Sequence, residues 1–221
     1  MSTFRVDEHA SNYIVSSCTP PDPVVSAVIA DTQELGDLYE MLTPVEQAGF
    51  LTTLAKTLAP RTVIDIGTFT GLSALCFARG LAPGGRVLTC DVTEDWVHIA
   101  RKHWDAAGVT DRIQFVLGPA RKTLPKLVRD GEADLVFVDA DKLSYPHYVE
   151  TAARLLRSGG LLILDNVLLN GTVFAPEKVE DDLRRLAAES MREVNAKLAV
   201  DERFETVMLP FADGVTLARK L

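Results

Sequence analysis

Short apolar segments alternate with helix-like segments through most of this chain, and this alternation restricts the possible folds more than any other feature. The apolar segments lie at 62–66, 86–90, 113–117, 135–138 and 160–164. Near-continuous apolar runs of this length are typical of strands that are buried on both faces of a parallel sheet. Because a helix-like segment follows each of them, the order predicts a doubly wound α/β sheet with helices on both faces.

Two strand-like segments near the end of the chain depart from this pattern. Residues 204–209 and 215–218 are separated by a loop that contains Asp213 and Gly214, which predicts an antiparallel hairpin. We therefore expect a mostly parallel sheet that ends in this hairpin. A chain of 221 residues, 47% of them apolar, is long enough for one domain over 1–221 with a full core.

The composition argues against several classes of function. A net charge of −8 disfavours nucleic-acid binding, because phosphates need basic partners. The first residues lack the apolar region of a signal peptide, and no apolar run is long enough to span a bilayer, so we expect a cytoplasmic protein without membrane partners. Cys18, Cys76 and Cys90 lack disulfide or zinc spacing. The four histidines show no ligand spacing and are expected at the surface.

Local signals give expectations for individual helices. Thr43 is expected to cap a helix because Thr43-Pro44-Val45-Glu46 has the form of a capping box, and Leu58 is expected on the buried face of that helix. Thr93 is expected to cap a later helix. A long helix is predicted at about 177–198, and no period is visible in 1–20.

Oxygen-bearing side chains come directly after two of the apolar segments. Asp139 follows one of them, and Asp165 and Asn166 follow the other. Parallel strands end at a common edge, so these side chains converge if the strands are neighbours. Two carboxylates and an amide oxygen suit a hard cation, Mg²⁺ first and Mn²⁺ or Ca²⁺ as alternatives. The alternative that both aspartates only cap helices or loops stays open.

A glycine-containing loop, Gly67-Thr68-Phe69-Thr70-Gly71, follows the first predicted strand. In a doubly wound sheet such a loop forms the floor of a ligand site. Its glycines are expected to let the backbone approach the ligand closely. Asp91 lies at the end of the second strand, where it is expected to accept hydrogen bonds from two ribose hydroxyls.

The residues around this loop favour one cofactor over another. A dinucleotide fingerprint needs a second glycine where this chain has bulky Phe69. Asp65, two residues before Gly67, suits a cationic amino group better than a diphosphate. The loop therefore favours S-adenosylmethionine, and an NAD-dependent Rossmann oxidoreductase is the alternative.

Four ordered motifs and a matching C-terminal segment carry a family resemblance. They are Asp65-Ile-Gly-Thr-Phe-Thr-Gly-Leu-Ser73, Gly118-Pro119-Ala120, Phe137-Val-Asp-Ala-Asp-Lys142, Asp165-Asn166 with Asn170-Gly171, and Asp213-Gly-Val-Thr-Leu-Ala-Arg219. In this order they resemble the cation-dependent O-methyltransferases, the group that contains caffeoyl-CoA and catechol O-methyltransferases. The similarity covers nearly everything from Thr43 to Leu221.

The resemblance implies a seven-stranded Rossmann-like sheet, a homodimer and S-adenosylmethionine as the cofactor. The residues that it places at the cofactor are Thr43, Asp65, Gly67, Thr68, Ser73, Asp91, Ala120 and Asp141. It makes Asp139, Asp165 and Asn166 the metal ligands, and Asn170 a substrate contact. Residues 1–42 match poorly and are interpreted as an N-terminal segment that covers the site.

These features predict methyl transfer from S-adenosylmethionine to a hydroxyl of a small catechol-like molecule. A phenol is almost wholly protonated at neutral pH, and a divalent cation lowers the pKa of a bound hydroxyl. Lys142, three residues after Asp139, is expected to be the general base because the cation favours its neutral amine. A solvated loop lysine is the alternative for this residue, and a non-catalytic cofactor-binding module is the alternative for the chain.

The acidic N-terminal segment gives an expectation for the acceptor. Residues 1–55 contain one basic side chain, Arg5, and eight acidic ones. A CoA ester brings phosphates, which need basic partners or a helix terminus. We therefore expect a small free catechol as the acceptor in preference to a CoA ester.

Overall fold

A computed structural model of the protein describes residues 8–221, so Arg5 and Asp7 of the acidic segment lie outside the described residues. The strands are β1 Thr62–Ile66, β2 Arg86–Asp91, β3 Ile113–Leu117, β4 Ala133–Val138, β5 Leu156–Leu164, β6 Phe204–Leu209 and β7 Val215–Lys220. The α-helices are α1 Glu8–Ser16, α2 Pro23–Gln33, α3 Val45–Leu58, α4 Leu72–Ala78, α5 Val97–Ala106, α6 Ala120–Leu127, α7 Tyr145–Leu155 and α8 Asp182–Leu198. Short 3₁₀ helices lie at Gly36–Met41, Thr110–Arg112, Lys142–Ser144, Leu169–Phe174 and Pro176–Lys178.

The strands form one seven-stranded sheet in the order β3-β2-β1-β4-β5-β7-β6. Strands β1 to β5 pair in parallel, and β7 pairs antiparallel with both β5 and β6. The predicted mostly parallel, seven-stranded sheet with a C-terminal antiparallel hairpin is therefore confirmed. The winding reverses between β1 and β4, where sheets of this kind bind ligands beyond the carboxyl ends of the strands.

Helices cover both faces of the sheet. Successive strand residues point to opposite faces, so Ile64 and Val136 pack in one core with side chains from α6, α7 and α8. Val63 and Leu135 pack in the other core with side chains from α2 to α5. The central strands β4 and β5 are therefore covered on both faces, which explains the continuous apolar runs at 135–138 and 161–164. Within residues 8–221, no helix has the length and apolar character needed to cross a membrane.

Two predicted helix caps are wrong. The residue before α3 is Pro44, not Thr43, and no side chain caps this helix. Helix α5 begins after Trp96, and no side chain caps it. Thr93 instead accepts a hydrogen bond from the backbone N–H of Asp95 at 3.2 Å. A hydroxyl that bonds two residues ahead stabilises a local turn, which competes with helix formation at that point.

Other expectations also differ from the structure. Helix α1 lies where the sequence shows no period. Helix α8 begins at Asp182 rather than near 177, because Asp181 caps it by accepting from the N–H of Arg184. Leu58 is 47% exposed, since it is the last residue of α3. His103 was expected at the surface but is buried, with its Nε2 2.8 Å from Asp31 Oδ2.

The described part of the N-terminal segment is attached to the sheet domain through α2. Asp31 also accepts a hydrogen bond from Lys102 on α5 at 2.6 Å. Thr32 Oγ1 donates to Thr70 Oγ1 in the glycine loop at 2.9 Å, and both side chains are buried. Asp22 pairs with Arg79 at the end of α4. Two of the acidic side chains in this segment are therefore already paired with basic partners.

Candidate active site

A pocket of about 660 Å³ opens at the carboxyl edge of the sheet, where the winding reverses. Backbone hydrogen bonds continue past the strands along this edge, because Gly67 N donates to Cys90 O and Asp165 N donates to Val138 O. The predicted residues that line the pocket are Thr43, Gly67, Thr68, Ser73, Asp91, Ala120, Asp139, Asp141, Lys142, Asp165, Asn166 and Asn170. Asp65 is fully buried in β1 beside them. The fold thus brings the predicted site residues together at one edge.

The glycine loop after β1 is shaped by Asp91. Its Oδ2 accepts hydrogen bonds from the backbone N–H groups of Thr68 and Phe69, each at 3.0 Å. Phe69 has a φ of 46°, in the left-handed region, which costs energy for a bulky residue. Its ring packs against Trp96 with a centroid separation of 5.3 Å. These contacts hold the loop in its strained shape before any ligand binds.

The two glycines of this loop are required by the protein itself. A Cβ at Gly67 would lie 1.8 Å from the carbonyl oxygen of Asp139, and one at Gly71 would lie 2.5 Å from the Cβ of Ala100. Trp104 also donates from Nε1 to the carbonyl of Gly71 at 3.0 Å. The fold alone therefore requires glycine at both positions, because the backbone and α5 fill the space that a Cβ would need, and close approach of a ligand to this loop stays a prediction.

Asp65 lies at the centre of a buried hydrogen-bond network. Its Oδ2 accepts from Thr89 Oγ1 at 2.7 Å and from Ser73 Oγ at 3.2 Å. Its Oδ1 is buried and has no hydrogen-bond partner among the described residues. Burial raises the pKa of Asp65 to about 7, and the two hydrogen bonds oppose this rise. A buried carboxyl with one free oxygen beside the pocket suits a cationic group on a ligand.

The ends of β4 and β5 bring three oxygen-bearing side chains around one lysine. Lys142 Nζ donates to Asp139 Oδ1 at 3.1 Å, to Asn166 Oδ1 at 2.7 Å and to Tyr145 OH at 2.9 Å. An ammonium group has three N–H bonds, and all three are used here. Asp139 and Asn166, which lie at the two strand ends, therefore both contact one positively charged group, the ammonium group of Lys142.

Asp165 is held in place by one hydrogen bond to each of its carboxyl oxygens. Asp165 Oδ1 accepts from the N–H of Asn166 at 2.7 Å, and its Oδ2 accepts from Gln47 Nε2 at 2.6 Å. Burial, followed by the charge of Asp139, raises the pKa of Asp165 to about 7. Asn166 has a φ of 52°, a region that asparagine tolerates better than most residues.

The alternative in which the two aspartates act as helix caps is wrong. The 3₁₀ helix that follows β4 is capped by Asp141. The 3₁₀ helix that follows β5 is preceded by Leu168. No group of three His, Cys, Asp or Glu side chains in residues 8–221 is arranged to hold a metal ion. A metal site here therefore depends on the Asn166 amide as its third oxygen ligand.

Asp141 and Asn170 lie at other parts of the pocket wall. Asp141 Oδ1 accepts from the N–H of Ser144 at 3.0 Å, and its Oδ2 accepts from Tyr148 OH at 2.8 Å. Asn170 is in the left-handed region at φ 52°, and its N–H donates to Asp213 Oδ1 at 2.6 Å. The side chain of Asn170 lies at the pocket on a loop that is anchored through its backbone.

Family membership follows from similarity along nearly the whole chain. A family model described as O-methyltransferase matches residues 17–221. A protein of Dictyostelium discoideum named probable caffeoyl-CoA O-methyltransferase 1 is 39% identical over 214 residues, which cover 95% of this chain and 91% of that protein. The chain belongs to the O-methyltransferase family.

Two further relatives agree with this assignment. A mouse protein named catechol O-methyltransferase domain-containing protein 1 is 36% identical over 212 residues, covering 95% of this chain and 79% of that protein. The SAH-bound structure of a Podospora anserina methyltransferase matches this O-methyltransferase with a TM-score of 0.88 at 26% identity, over 100% of this chain and 99% of that chain. The predicted family and enzyme class are confirmed, which decides against the oxidoreductase and the non-catalytic module.

Four residues of the O-methyltransferase site are absent from the sequence motifs: Gln47, Thr89, Tyr145 and Tyr148. Three of them have a signal in the sequence. Thr89 lies two residues before Asp91 in the same strand, and therefore on the same face of the sheet. Tyr145 and Tyr148 follow the Lys142 motif by three and six residues, one helical turn apart. Gln47 has no signal of this kind, because its partner Asp165 is 118 residues away.

Proposed function

We propose that this O-methyltransferase transfers a methyl group from S-adenosylmethionine to one hydroxyl of a small catechol-like molecule, with the help of a divalent cation. The observation that carries the proposal is the convergence of Asp139, Asn166 and Lys142 at the end of β4 and β5. This cluster lies in the same pocket as the glycine loop. One pocket thus offers a cofactor wall and a cation position side by side.

Several contacts support S-adenosylmethionine as the methyl donor. The free Oδ1 of Asp65 suits an ammonium group, such as that of the methionine part of the cofactor. Asp91 Oδ1 makes one weak contact, with Thr93 N at 3.3 Å, so it retains acceptor capacity for ribose hydroxyls. The similar Podospora anserina methyltransferase is SAH-bound, which also supports this choice.

The donor set fits a divalent cation. Asp139, Asp165 and Asn166 offer oxygen atoms, the ligand type that Mg²⁺ prefers. Burial and, second to it, repulsion from Asp139 raise the pKa of Asp165, and a positive charge between the two carboxylates would relieve the repulsion. A cation held there would act as a Lewis acid and lower the pKa of the acceptor's phenolic hydroxyl. Asp139, Asp165 and Asn166 would hold it, with Mg²⁺ the first choice and Mn²⁺ or Ca²⁺ as alternatives.

Lys142 is the candidate general base. Lys142 Nζ would give up its hydrogen bonds to Asp139 and Asn166 if these side chains held a cation, and the nearby positive charge would favour the neutral amine. The neutral Nζ then accepts the proton of the acceptor hydroxyl, while the oxygen forms its bond to the methyl carbon and the carbon–sulfur bond breaks. Tyr145 OH donates to the carbonyls of Val138 and Asp165 at 3.1 and 3.0 Å. These bonds hold the hydroxyl in place as a hydrogen-bond partner for Lys142 Nζ.

The charge of the pocket wall supports a small uncharged acceptor. Six carboxylates line the pocket: Glu40, Asp91, Asp139, Asp141, Asp165 and Asp213. Among the residues that the structure describes, Lys142 is the one Lys or Arg that lines it. Phosphates need basic partners, so this wall disfavours the tail of a CoA ester. The negative charge of the pocket wall supports a small acceptor more strongly than the charge of the N-terminal segment does. In that segment, Asp22 and Asp31 are already paired with basic side chains.

Chelation and metal add-back test the cation requirement. The purified protein is treated exhaustively with EDTA and assayed with S-adenosylmethionine and a simple catechol, before and after addition of Mg²⁺, Mn²⁺ or Ca²⁺. We expect methylation to disappear on chelation and to return with at least one of the three. Undiminished turnover in the metal-free protein contradicts the proposal.

The same assay decides between acceptors. The name of the Dictyostelium discoideum relative makes a caffeoyl-CoA ester the second candidate, so kcat/KM is compared for caffeic acid and caffeoyl-CoA at low and moderate salt. We expect the free acid to be preferred. A preference for the ester that weakens with salt indicates a basic site for phosphates and contradicts the choice of acceptor. The homodimer, the single domain over 1–221 and the cytoplasmic location stay predictions.

A further inference from the structure

Gln47 lies in the first turn of α3, and its side chain lines the same pocket as the candidate metal ligands. It is only 1% exposed, which is unusual for a glutamine. No motif in the sequence accounts for it. A buried amide at this place has either a structural role in the helix or a role toward the ligands of the pocket.

The position of Gln47 in α3 suggests a role in capping the helix, but the structure does not allow this role. Gln47 is the third residue of α3, where a glutamine side chain ordinarily accepts a hydrogen bond from the backbone N–H of the capping residue. The capping residue here is Pro44, and proline has no N–H. The reciprocal bond of a capping box is therefore impossible, and the side chain of Gln47 is free to turn toward the pocket.

The amide nitrogen of Gln47 is used on a candidate metal ligand. Nε2 donates to Asp165 Oδ2 at 2.6 Å, while Asp165 Oδ1 accepts from the N–H of Asn166 at 2.7 Å. One hydrogen bond on each oxygen fixes the rotation of the carboxylate. Each oxygen keeps further acceptor capacity for a cation. Gln47 thus holds Asp165 in one orientation without occupying it fully.

The amide oxygen of Gln47 is left without a use in the fold. Oε1 is buried and has no hydrogen-bond partner among the described residues. A buried acceptor without a partner is destabilising, so a glutamine kept only for folding would be unfavourable here. A hydrated divalent cation brings water molecules, and water is a hydrogen-bond donor. A donor that arrives with a ligand would remove this cost.

From these contacts we infer that Gln47 is a positioning residue for the cation site, which acts by orienting Asp165 and by accepting a hydrogen bond from water on the bound cation. The inference rests on the proposed cation dependence. It assigns to α3 a contribution to cation affinity in addition to the cofactor contact predicted for Thr43. Gln47 belongs to the group of outer partners that orient metal-ligating carboxylates.

The test measures cation binding directly. Mn²⁺ is titrated into the metal-free full-length chain, and unbound Mn²⁺ is quantified by its EPR signal, for the parental protein and for Gln47→Met and Gln47→Leu. Thr52→Val is the matched control, because Thr52 lies on the same helix and its Oγ1 donates to the carbonyl of Ala48 within that helix. Cofactor affinity and the melting temperature of the metal-free protein are measured in parallel.

We expect both Gln47 variants to bind Mn²⁺ about 10- to 100-fold more weakly, while the control binds it as the parental protein does. Their turnover is expected to recover at saturating Mn²⁺, because the affinity is what has changed. A lower melting temperature with parental Mn²⁺ affinity would show a purely structural role and overturn the inference. Failure of the parental protein itself to bind Mn²⁺ would overturn the proposed cation dependence as well.

Discussion

The pocket at the carboxyl edge has two ends, one at β1 and β2 and the other at β4 and β5. The polar side chains at these two ends have different kinds of partner. At the end formed by β1 and β2, Asp91 holds the glycine loop through two backbone N–H groups, and Asp65 Oδ1 has no hydrogen-bond partner among the described residues. At the end formed by β4 and β5, Asp139 and Asn166 contact a cation that the protein itself supplies, the ammonium group of Lys142. The glycine loop at the first end is thus already ordered by the protein, whereas the proposed cation at the second end would have to replace the ammonium group of Lys142.

Because of this difference, we expect one end to determine mainly cofactor affinity and the other mainly turnover. A loop that is already ordered loses little conformational entropy when it binds a ligand, so the first end contributes mainly to cofactor affinity. In the proposed mechanism, Lys142 gives up its bonds to Asp139 and Asn166 and accepts the proton of the acceptor hydroxyl, so we expect the second end to contribute mainly to turnover. Substitutions at the two ends should therefore change different kinetic quantities.

The largest expected effect is that of Lys142→Ala on turnover. Loss of a general base lowers the rate about 100- to 10,000-fold, while the affinity for S-adenosylmethionine should stay within about twofold of the parental value, because Lys142 belongs to the other end of the edge. The measurements are kcat with a catechol acceptor and a calorimetric Kd for the cofactor. Lys197→Ala is the control, since Lys197 is an exposed side chain that pairs with Glu193. A parental rate for Lys142→Ala at every pH would rule out the general-base role.

A smaller effect of the opposite kind is expected for Asp91→Ala. The variant loses the carboxylate that shapes the glycine loop and faces the ribose position. Loss of hydrogen bonds to a charged group costs about 1.5–3 kcal/mol, or about one to two decades of cofactor affinity. Turnover at saturating cofactor should change little. Asp95→Ala, an exposed substitution in the same connection, is the control for general effects on this segment. A loss of turnover with unchanged Kd would remove the distinction between the two ends.

The sequence predicts the second end well because burial and chemistry leave clear marks on it. Strands covered on both faces need continuous apolar runs, so the polar residues that end them are easy to locate. Asp139 and Asp165 both stand directly after such runs, and the β4-α7-β5 connection makes their strands parallel neighbours. Their convergence is a consequence of the topology, and the topology follows from the alternation of segments.

Other features depend on interactions that no local pattern records. Pro44 is compatible with either the first helical position or the position before it, and only the packed structure selects the latter. His103 looks like a surface residue until Asp31, 72 positions earlier, is brought against it. The glycines of the loop suggest ligand approach, yet the atoms that exclude a side chain at Gly67 belong to Asp139. Such contacts arise only when the chain has folded.

The smallest expected effect separates two carboxyls with similarly raised pKa values. Burial raises the pKa of Asp65 to about 7, and burial together with Asp139 does the same for Asp165. In the proposed site, Asp65 receives the ammonium group of the cofactor through its unpaired Oδ1, and this contact requires the ionised form of the carboxyl. Below pH 7 Asp65 must release a proton when the cofactor binds, so affinity should fall as the pH falls, with a limit of about tenfold per unit.

We therefore expect the affinity for S-adenosylmethionine, measured by calorimetry without metal, to rise about tenfold between pH 6 and pH 8 and to level off above pH 7. Asp65→Asn should bind more weakly at pH 8 and lack the rise, because an amide does not titrate. Asp165→Asn is the matched control and should keep the rise, since Asp165 faces the cation position. If Asp165→Asn flattens the profile and Asp65→Asn does not, the ammonium group binds at the β4–β5 end, and the assignment of the two ends must be reversed.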